Sequence, residues 1–98
     1  MHVEKLDEQV RVFADFNGVK IKPVAFIRTT GRRYDIDRVN LVYRARVSPG
    51  TASGGADGGR VGDKYHWCFA VSDEVNNYIL FYDPENLVWT LKEIQMEG

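Results

Sequence analysis

Apolar side chains recur at every second position through much of this sequence, and this period restricts its fold more than any other feature. The cleanest example is the set formed by Tyr65, Trp67, Phe69 and Val71. Successive side chains of a β-strand point to opposite faces, whereas a helix repeats its apolar positions every three to four residues. The alternation therefore predicts strands that line a common interior, which we expect this set to share with Leu80 and Trp89.

Turn sequences divide the chain into about seven or eight short strands. Asn17-Gly18 predicts a type I′ hairpin, because both residues readily take a positive φ. Pro23 lacks an N–H, so its strand is expected to end there or to run along an edge. In 98 residues, this pattern predicts an all-β fold, either a small antiparallel barrel or a strongly bent sheet. Only residues 3–10 could form a short helix instead.

Length and composition favour one domain in a reducing compartment. Residues 1–98 are expected to form a single β domain, in which residues 48–63 hold six of the nine glycines and predict a long flexible loop. Cys68 is the single cysteine, so no disulfide can form within the chain. No apolar run is long enough for a transmembrane helix, and the charged N-terminus is unlike a signal peptide. We expect a cytoplasmic protein without membrane contact.

Basic residues are concentrated in the middle of the chain. Residues 20–46 hold eight basic residues against two acidic ones, a net charge of +6, whereas the whole chain carries −1. Arginine suits phosphate binding because its planar guanidinium pairs with two oxygens. If adjacent strands gather these side chains, the candidate nucleic-acid-binding residues are Arg28, Arg32, Arg33, Arg44 and Arg46. The alternative is a set of solubilising charges that pair with acidic residues, since dedicated nucleic-acid binders are usually strongly basic.

Two segments carry apolar side chains on both strand faces. All five residues of 78–82 are apolar, which is typical of a central strand covered twice or of one covered by a second subunit. Phe13 likewise points away from the apolar face of its own strand. The candidate protein-interface residues are therefore Phe13, Ile79 and Phe81. The alternative is a second layer of core, because aromatic residues dominate small β cores.

The sequence contains no convincing catalytic constellation. His66 and Cys68 are two apart on a predicted strand, so they share a face at a separation of about 7 Å, too far for a nucleophile and its base. A metal site needs three or four ligands, and the only other histidine is His2. We therefore expect no catalytic residues, no metal site and no cofactor, and an enzyme is the least favoured class.

Four segments combine core aromatics with turn residues. They are Gly31-Arg32-x-Tyr34-x-Ile36, Trp67-x-Phe69-x-Val71, Tyr78-x-Leu80-x-Tyr82-Asp83 and Trp89-x-Leu91. Together they resemble a family of small uncharacterised bacterial β domains, which also occur as the C-terminal tail of some Y-family, error-prone DNA polymerase-like proteins. The resemblance covers residues 10–94 and implies a compact β accessory domain near DNA-repair machinery, with no catalytic residues.

These patterns favour a non-enzymatic binding or accessory module associated with nucleic acid or DNA-repair machinery. Its expected partner is nucleic acid or a DNA-processing protein. The alternative is a protein-interaction or homodimerisation module without nucleic-acid contact.

Overall fold

The computed structural model describes residues 2–18, 20–47 and 64–96, which form one antiparallel sheet. Its strands are β1 (His2–Asn17), β2 (Lys20–Ile27), β3 (Arg33–Asp35), β4 (Arg38–Val47), β5 (Lys64–Ser72), β6 (Asn76–Asp83) and β7 (Val88–Met96). Their order across the sheet is β3-β2-β1-β7-β6-β5-β4, and the sheet curls strongly into a half-barrel. The predicted all-β, strongly bent sheet is confirmed. The loop predicted for residues 48–63 lies outside the described residues.

β1 is long enough to belong to both halves of the sheet. Residues 2–10 pair with β7, with an irregularity in register between Lys5 and Glu8, and residues 11–17 pair with β2. The alternative of a helix over residues 3–10 is therefore wrong. A helix of this length is marginal by itself, whereas pairing with β7 gives the backbone N–H and C=O groups hydrogen-bond partners.

The β1–β2 hairpin forms where the sequence predicts it. Asn17 pairs with Lys20 at the end of the ladder. Gly18 has a φ of 65°, a conformation that glycine adopts without steric cost. Asn17 therefore belongs to the strand and not to the turn.

Pro23 does not end its strand. It lies within β2 opposite Ala14, beside a register shift between Phe13 and Ala14. The pairing of β2 with β3 covers only residues 25–27, so β1 is the one neighbour that the described sheet provides at Pro23. This is the bulged edge position that proline prefers in a sheet.

The concave side of the half-barrel holds the core, and its residues alternate along each strand as the sequence predicts. The buried members are Val10, Phe26, Phe69, Val71, Tyr78, Leu80, Tyr82, Trp89, Leu91 and Ile94. Trp67 is half-buried and packs against them. The predicted common interior is therefore confirmed for Trp67, Phe69, Val71, Leu80 and Trp89, whereas Tyr65 is exposed.

Residues 36–37 connect the two edges of the curled sheet. β3 and β4 are consecutive in the chain but lie at opposite ends of the strand order. The Ile36 N–H donates to the Val24 carbonyl oxygen of β2, and the Asp37 N–H donates to the Ser72 carbonyl oxygen of β5, both at 2.9 Å. Two consecutive residues thus tie β2 to β5 and place the start of β4 across from β2.

Asp73 organises the turn between β5 and β6. Its carboxylate accepts hydrogen bonds from the backbone N–H groups of Val75 at 2.8 Å and Asn76 at 2.7 Å, and from the hydroxyl of buried Tyr78 at 2.7 Å. Burial opposes the charge of Asp73, but the hydrogen bonds outweigh it and lower the pKa of this carboxyl. Burial, reinforced by the Asp73 carboxylate, raises the pKa of Tyr78 to about 12.

The Tyr78→Phe variant is expected to lower the free energy of unfolding by about 1 kcal/mol, because the ring stays packed and one hydrogen bond is lost. Urea unfolding followed by circular dichroism measures the difference. Tyr65→Phe is the matched control, since Tyr65 is exposed, and its effect should stay within about 0.5 kcal/mol. Equal stabilities of the Tyr78→Phe variant and the parent chain would contradict the prediction.

Candidate functional site

A cleft opens between the start of β2 and the strands β4 and β5. Its volume is about 650 Å³, within the range of small-ligand sites. Its apolar lining consists of Ile21, Val39, Val42, Trp67 and Phe69, and its charged lining consists of Lys20, Lys22, Asp37 and Arg38. The four charged residues are all exposed. The cleft is therefore an apolar surface with a charged rim.

The topology of the sheet explains how this cleft forms. Lys20 and Lys22 flank Ile21 at the start of β2, and Ile21 packs against the core. Arg38 begins β4 directly after the 36–37 link. Because that link places β4 across from β2, cations from two distant strands meet around one apolar surface.

The rim of the cleft has an excess of positive charge. Lys20, Lys22 and Arg38 stand against the single carboxylate of Asp37, which gives a net charge of +2. The described residues provide no ion-pair partner for any of the three cations. These cations are therefore available to an anionic ligand.

Trp67 is the partly exposed aromatic side chain of the cleft lining, since Phe69, which also lines it, is fully buried. It pairs across the sheet with Tyr82 of β6, whose ring lies 4.5 Å from that of Trp89. The Trp89 ring in turn lies 5.3 Å from that of Phe69. The core side of Trp67 is thus part of a packed aromatic cluster, so its accessible part is held in a defined position.

Arg44 and Tyr65 extend this surface along β4 and β5. Arg44 is the cross-strand partner of Trp67, and directly opposed residues share a face of the sheet. The Arg44 guanidinium lies 4.7 Å from the centroid of the Tyr65 ring, within the range of a cation–π contact. A second aromatic ring and a fourth cation thus lie next to the cleft.

The cleft lining combines apolar side chains with basic ones. Its described residues include one carboxylate, Asp37, and no histidine, cysteine or hydroxyl side chain. The lining suits a ligand that combines a flat apolar body with negative charge.

Arg28, the first of the predicted nucleic-acid-binding arginines, forms an ion pair within the fold. Its Nη2 donates to Oε1 of Glu8 at 2.6 Å, and its Nε lies 3.1 and 3.2 Å from the two carboxylate oxygens. Both side chains are largely buried, with exposures of 20% and 15%. The hydrogen bond from Arg28, opposed in part by burial, lowers the pKa of Glu8 to about 2. Arg28 is thus a structural residue that fastens the β2–β3 turn to β1.

Strand pairing does not bring the other predicted arginines together. Arg33 pairs with Asp35 at 2.9 Å and lies over the Phe13 ring, and Arg32 lies over the Tyr34 ring. Both are at the β3 edge, whereas Arg44 and Arg46 are on β4 at the opposite end of the strand order. The side chain of Arg46 lies outside the described part of the structure. Of the five residues, Arg44 is the one placed beside the cleft.

The predicted interface residues fall on two separate parts of the sheet. Ile79 and Phe81 are half-buried on the side opposite the core, where they line a groove with Tyr43 and Lys92. Phe13 is exposed near the other end of the strand order, beneath Arg33. Strand β6 is therefore central, with one face in the core and one partly open to solvent.

His66 and Cys68 share the side of the sheet opposite the core but form no reactive pair. Cys68 is buried, and His66 Nε2 lies 3.7 Å from an Asp83 carboxylate oxygen. Across the described ranges, no three His, Cys, Asp or Glu side chains are grouped so that they could hold a metal ion.

Sequence reasoning missed Lys20, Lys22, Arg38 and Trp67 as site residues. The three cations belong to the basic segment 20–46, but the sequence-based selection favoured arginines and turn positions. The Lys-Ile-Lys alternation predicts an inward Ile21 but places its two neighbours on the opposite face, so it does not by itself indicate that both lysines line the cleft. The proximity of Arg38 required knowledge of the strand order.

Comparisons with known protein families, with curated proteins and with solved structures found no match to this chain. The described residues include no helix that is long and apolar enough to cross a membrane.

Proposed function

We propose that the chain is a non-enzymatic binding module whose concave cleft holds a segment of single-stranded nucleic acid. The observation that carries the proposal is the position of Trp67, on an apolar surface between cations of β2 and β4 that have no ion-pair partner among the described residues. Single-strand binders combine this pair of features, because bases stack on aromatic rings while a basic groove follows the phosphates. An accessory role beside DNA-processing proteins belongs to the same proposal.

Fluorescence anisotropy with labelled oligo-dT, oligo-U and a DNA duplex tests the proposal on the full chain. Single strands should bind more tightly than the duplex, because paired bases cannot stack on Trp67. Affinity should fall as salt rises, since phosphate contacts release counterions. Trp67→Ala should weaken single-strand binding by about 5- to 150-fold, the equivalent of one stacked base, whereas Trp67→Phe should keep most of the affinity.

A matched pair of double variants separates the cleft from the charge of the whole molecule. Lys20→Gln/Lys22→Gln and Lys5→Gln/Arg11→Gln remove the same charge from exposed positions, but only the first pair lines the cleft. The cleft variant should reduce the salt slope of log K by about 1.4, from the loss of two phosphate contacts. Absence of binding, binding without salt dependence, or equal losses in both double variants would refute the proposal.

A further inference from the structure

The two edges of the sheet differ in a way that points to a second binding surface. β3 forms one edge with three residues, whereas β4 forms the other with ten. Beyond a register shift between Val39 and Leu41, residues 41–47 continue without interruption beside β5. Among the described strands β5 is the only neighbour of β4. Alternate backbone N–H and C=O groups of residues 41–47 therefore point away from the sheet.

β4 has two of the features that protect edge strands, namely the register irregularity between Val39 and Leu41 and charged side chains, of which Arg44 lies on the concave face. Beyond that irregularity it remains seven residues long, whereas protected edges are typically short or contain proline. β4 contains no proline, and its central residues Leu41, Val42 and Tyr43 are 55%, 41% and 47% exposed. Because neighbours in a strand point to opposite faces, apolar side chains are exposed on both faces of this edge. An added strand would cover all three.

The charge of β4 identifies the chemistry of such a strand. β4 contains Arg38, Arg44 and Arg46 and no acidic residue, and the neighbouring β5 contains no acidic residue either. These two strands therefore offer no carboxylate of their own to the arginines, and an added acidic strand would supply one. A second copy of β4 would instead bring two strands of charge +3 together, which like-charge repulsion disfavours.

We propose that the outer edge of β4, which no other described strand covers, binds an extended peptide segment of a partner protein by strand addition, and that this segment is apolar in its centre and acidic on both sides. Backbone hydrogen bonds to residues 41–47 supply affinity, while carboxylates facing the arginines fix specificity and register. This surface adjoins the cleft, which Arg38 and Val42 also line, but strand addition uses the backbone edge of β4 and would make the chain a protein-interaction module whether or not nucleic acid binds.

The probe is a fluorescein-labelled ten-residue peptide with Val-Ile-Val at its centre and glutamates on both sides, titrated against the full chain. A control peptide with lysines in place of the glutamates should bind about tenfold more weakly. The Arg44→Glu variant of the chain should bind the glutamate peptide more weakly to a similar degree. Two further peptides carry backbone N-methyl groups at odd or at even positions. The peptide whose N-methyl groups replace the N–H groups that face β4 should bind about tenfold more weakly, because those backbone hydrogen bonds are lost. The peptide methylated at the alternate positions should bind like the unmethylated peptide.

Hydrogen exchange locates the bound peptide. Strand addition predicts slower exchange at the amides of residues 41–47, with little change at residues 78–82. Equal binding of both N-methylated peptides, equal binding of the lysine peptide, or protection confined to the cleft or to β6 would overturn the proposal. A stable homodimer that already protects residues 41–47 without peptide would also overturn it. The Lys20→Gln/Lys22→Gln variant keeps the two proposals separable, since both lysines line the cleft but belong to β2, so the variant should weaken oligo-dT binding and leave peptide binding unchanged.

Discussion

Replacing Phe26 by alanine is expected to lower the free energy of unfolding by about 3–5 kcal/mol, the usual loss for a buried phenylalanine. Phe26 has no exposed surface. Its ring stacks on Tyr34 at 5.1 Å and meets Tyr78 edge-on at 5.2 Å. The ring thus joins β2 to β3 and, across the interior of the half-barrel, to β6. Its removal leaves a cavity where the two halves of the sheet meet.

Phe16→Ala provides a matched control for this prediction, since Phe16 belongs to the adjacent strand β1 and is 60% exposed. Urea unfolding of both variants should show a loss below about 1 kcal/mol for Phe16→Ala, because little apolar surface is uncovered. Similar losses in the two variants would show that Phe26 does not connect the two halves of the sheet. If Phe26→Ala fails to fold, Phe26→Leu should still show an intermediate loss.

The faces of individual strands could be predicted from the sequence because they depend only on local alternation. Phe69, Leu80 and Trp89 point into the interior, as their two-residue period requires. The β1–β2 hairpin was predictable for a similar reason, since Gly18 supplies the positive φ that a tight turn needs. In both cases the information lies within a few residues of the chain.

The strand order could not be predicted, because it depends on contacts between distant segments. Residues 3–10 have a weak local pattern and become a strand only because residues of β7, 79 to 92 positions later, pair with them. The placement of β3 and β4 at opposite edges likewise depends on the 36–37 link. The charged rim of the cleft follows from this order, which is why Arg38 was not selected from the sequence.

The role of Arg28 was also hidden from sequence reasoning. A basic residue in a basic segment suggests a ligand for phosphate, and nothing local indicates that its partner is Glu8, twenty residues earlier. The register irregularity between Lys5 and Glu8 accompanies this contact in β1. Because Arg28 forms this long-range ion pair with Glu8, its guanidinium is engaged within the fold.

Glu8→Gln is expected to lower the free energy of unfolding at neutral pH by about 1–3 kcal/mol, because it removes the charge from a largely buried, fully hydrogen-bonded carboxylate. Glu8 accepts the Arg28 hydrogen bonds and two more from Thr29, at 2.9 Å from its N–H and 3.1 Å from its hydroxyl. The neutral amide cannot form an ion pair with the Arg28 guanidinium. This guanidinium then stays largely buried without its counter-charge. The β2–β3 turn then loses its main attachment to β1.

The same carboxylate gives this prediction a pH signature. Folding lowers the pKa of Glu8 from its ordinary value of 4.5 to about 2, so the folded state favours the ionised form. The contribution of Glu8 is therefore complete above pH 4.5 and is lost as the pH falls toward 2. The stability difference between the parent chain and the Glu8→Gln variant should be constant from pH 7 to 5 and should shrink below pH 4.5.

Glu4→Gln is the matched control, because Glu4 is exposed on the same strand and the described residues give it no ion pair. Its unfolding free energy should follow that of the parent chain within about 0.5 kcal/mol at each pH. Urea unfolding at several pH values measures all three proteins. A stability difference for Glu8→Gln that does not change with pH would mean that packing, and not the ionised carboxylate, attaches the turn to β1. A double-mutant cycle with Arg28→Gln then gives the coupling energy of the pair directly.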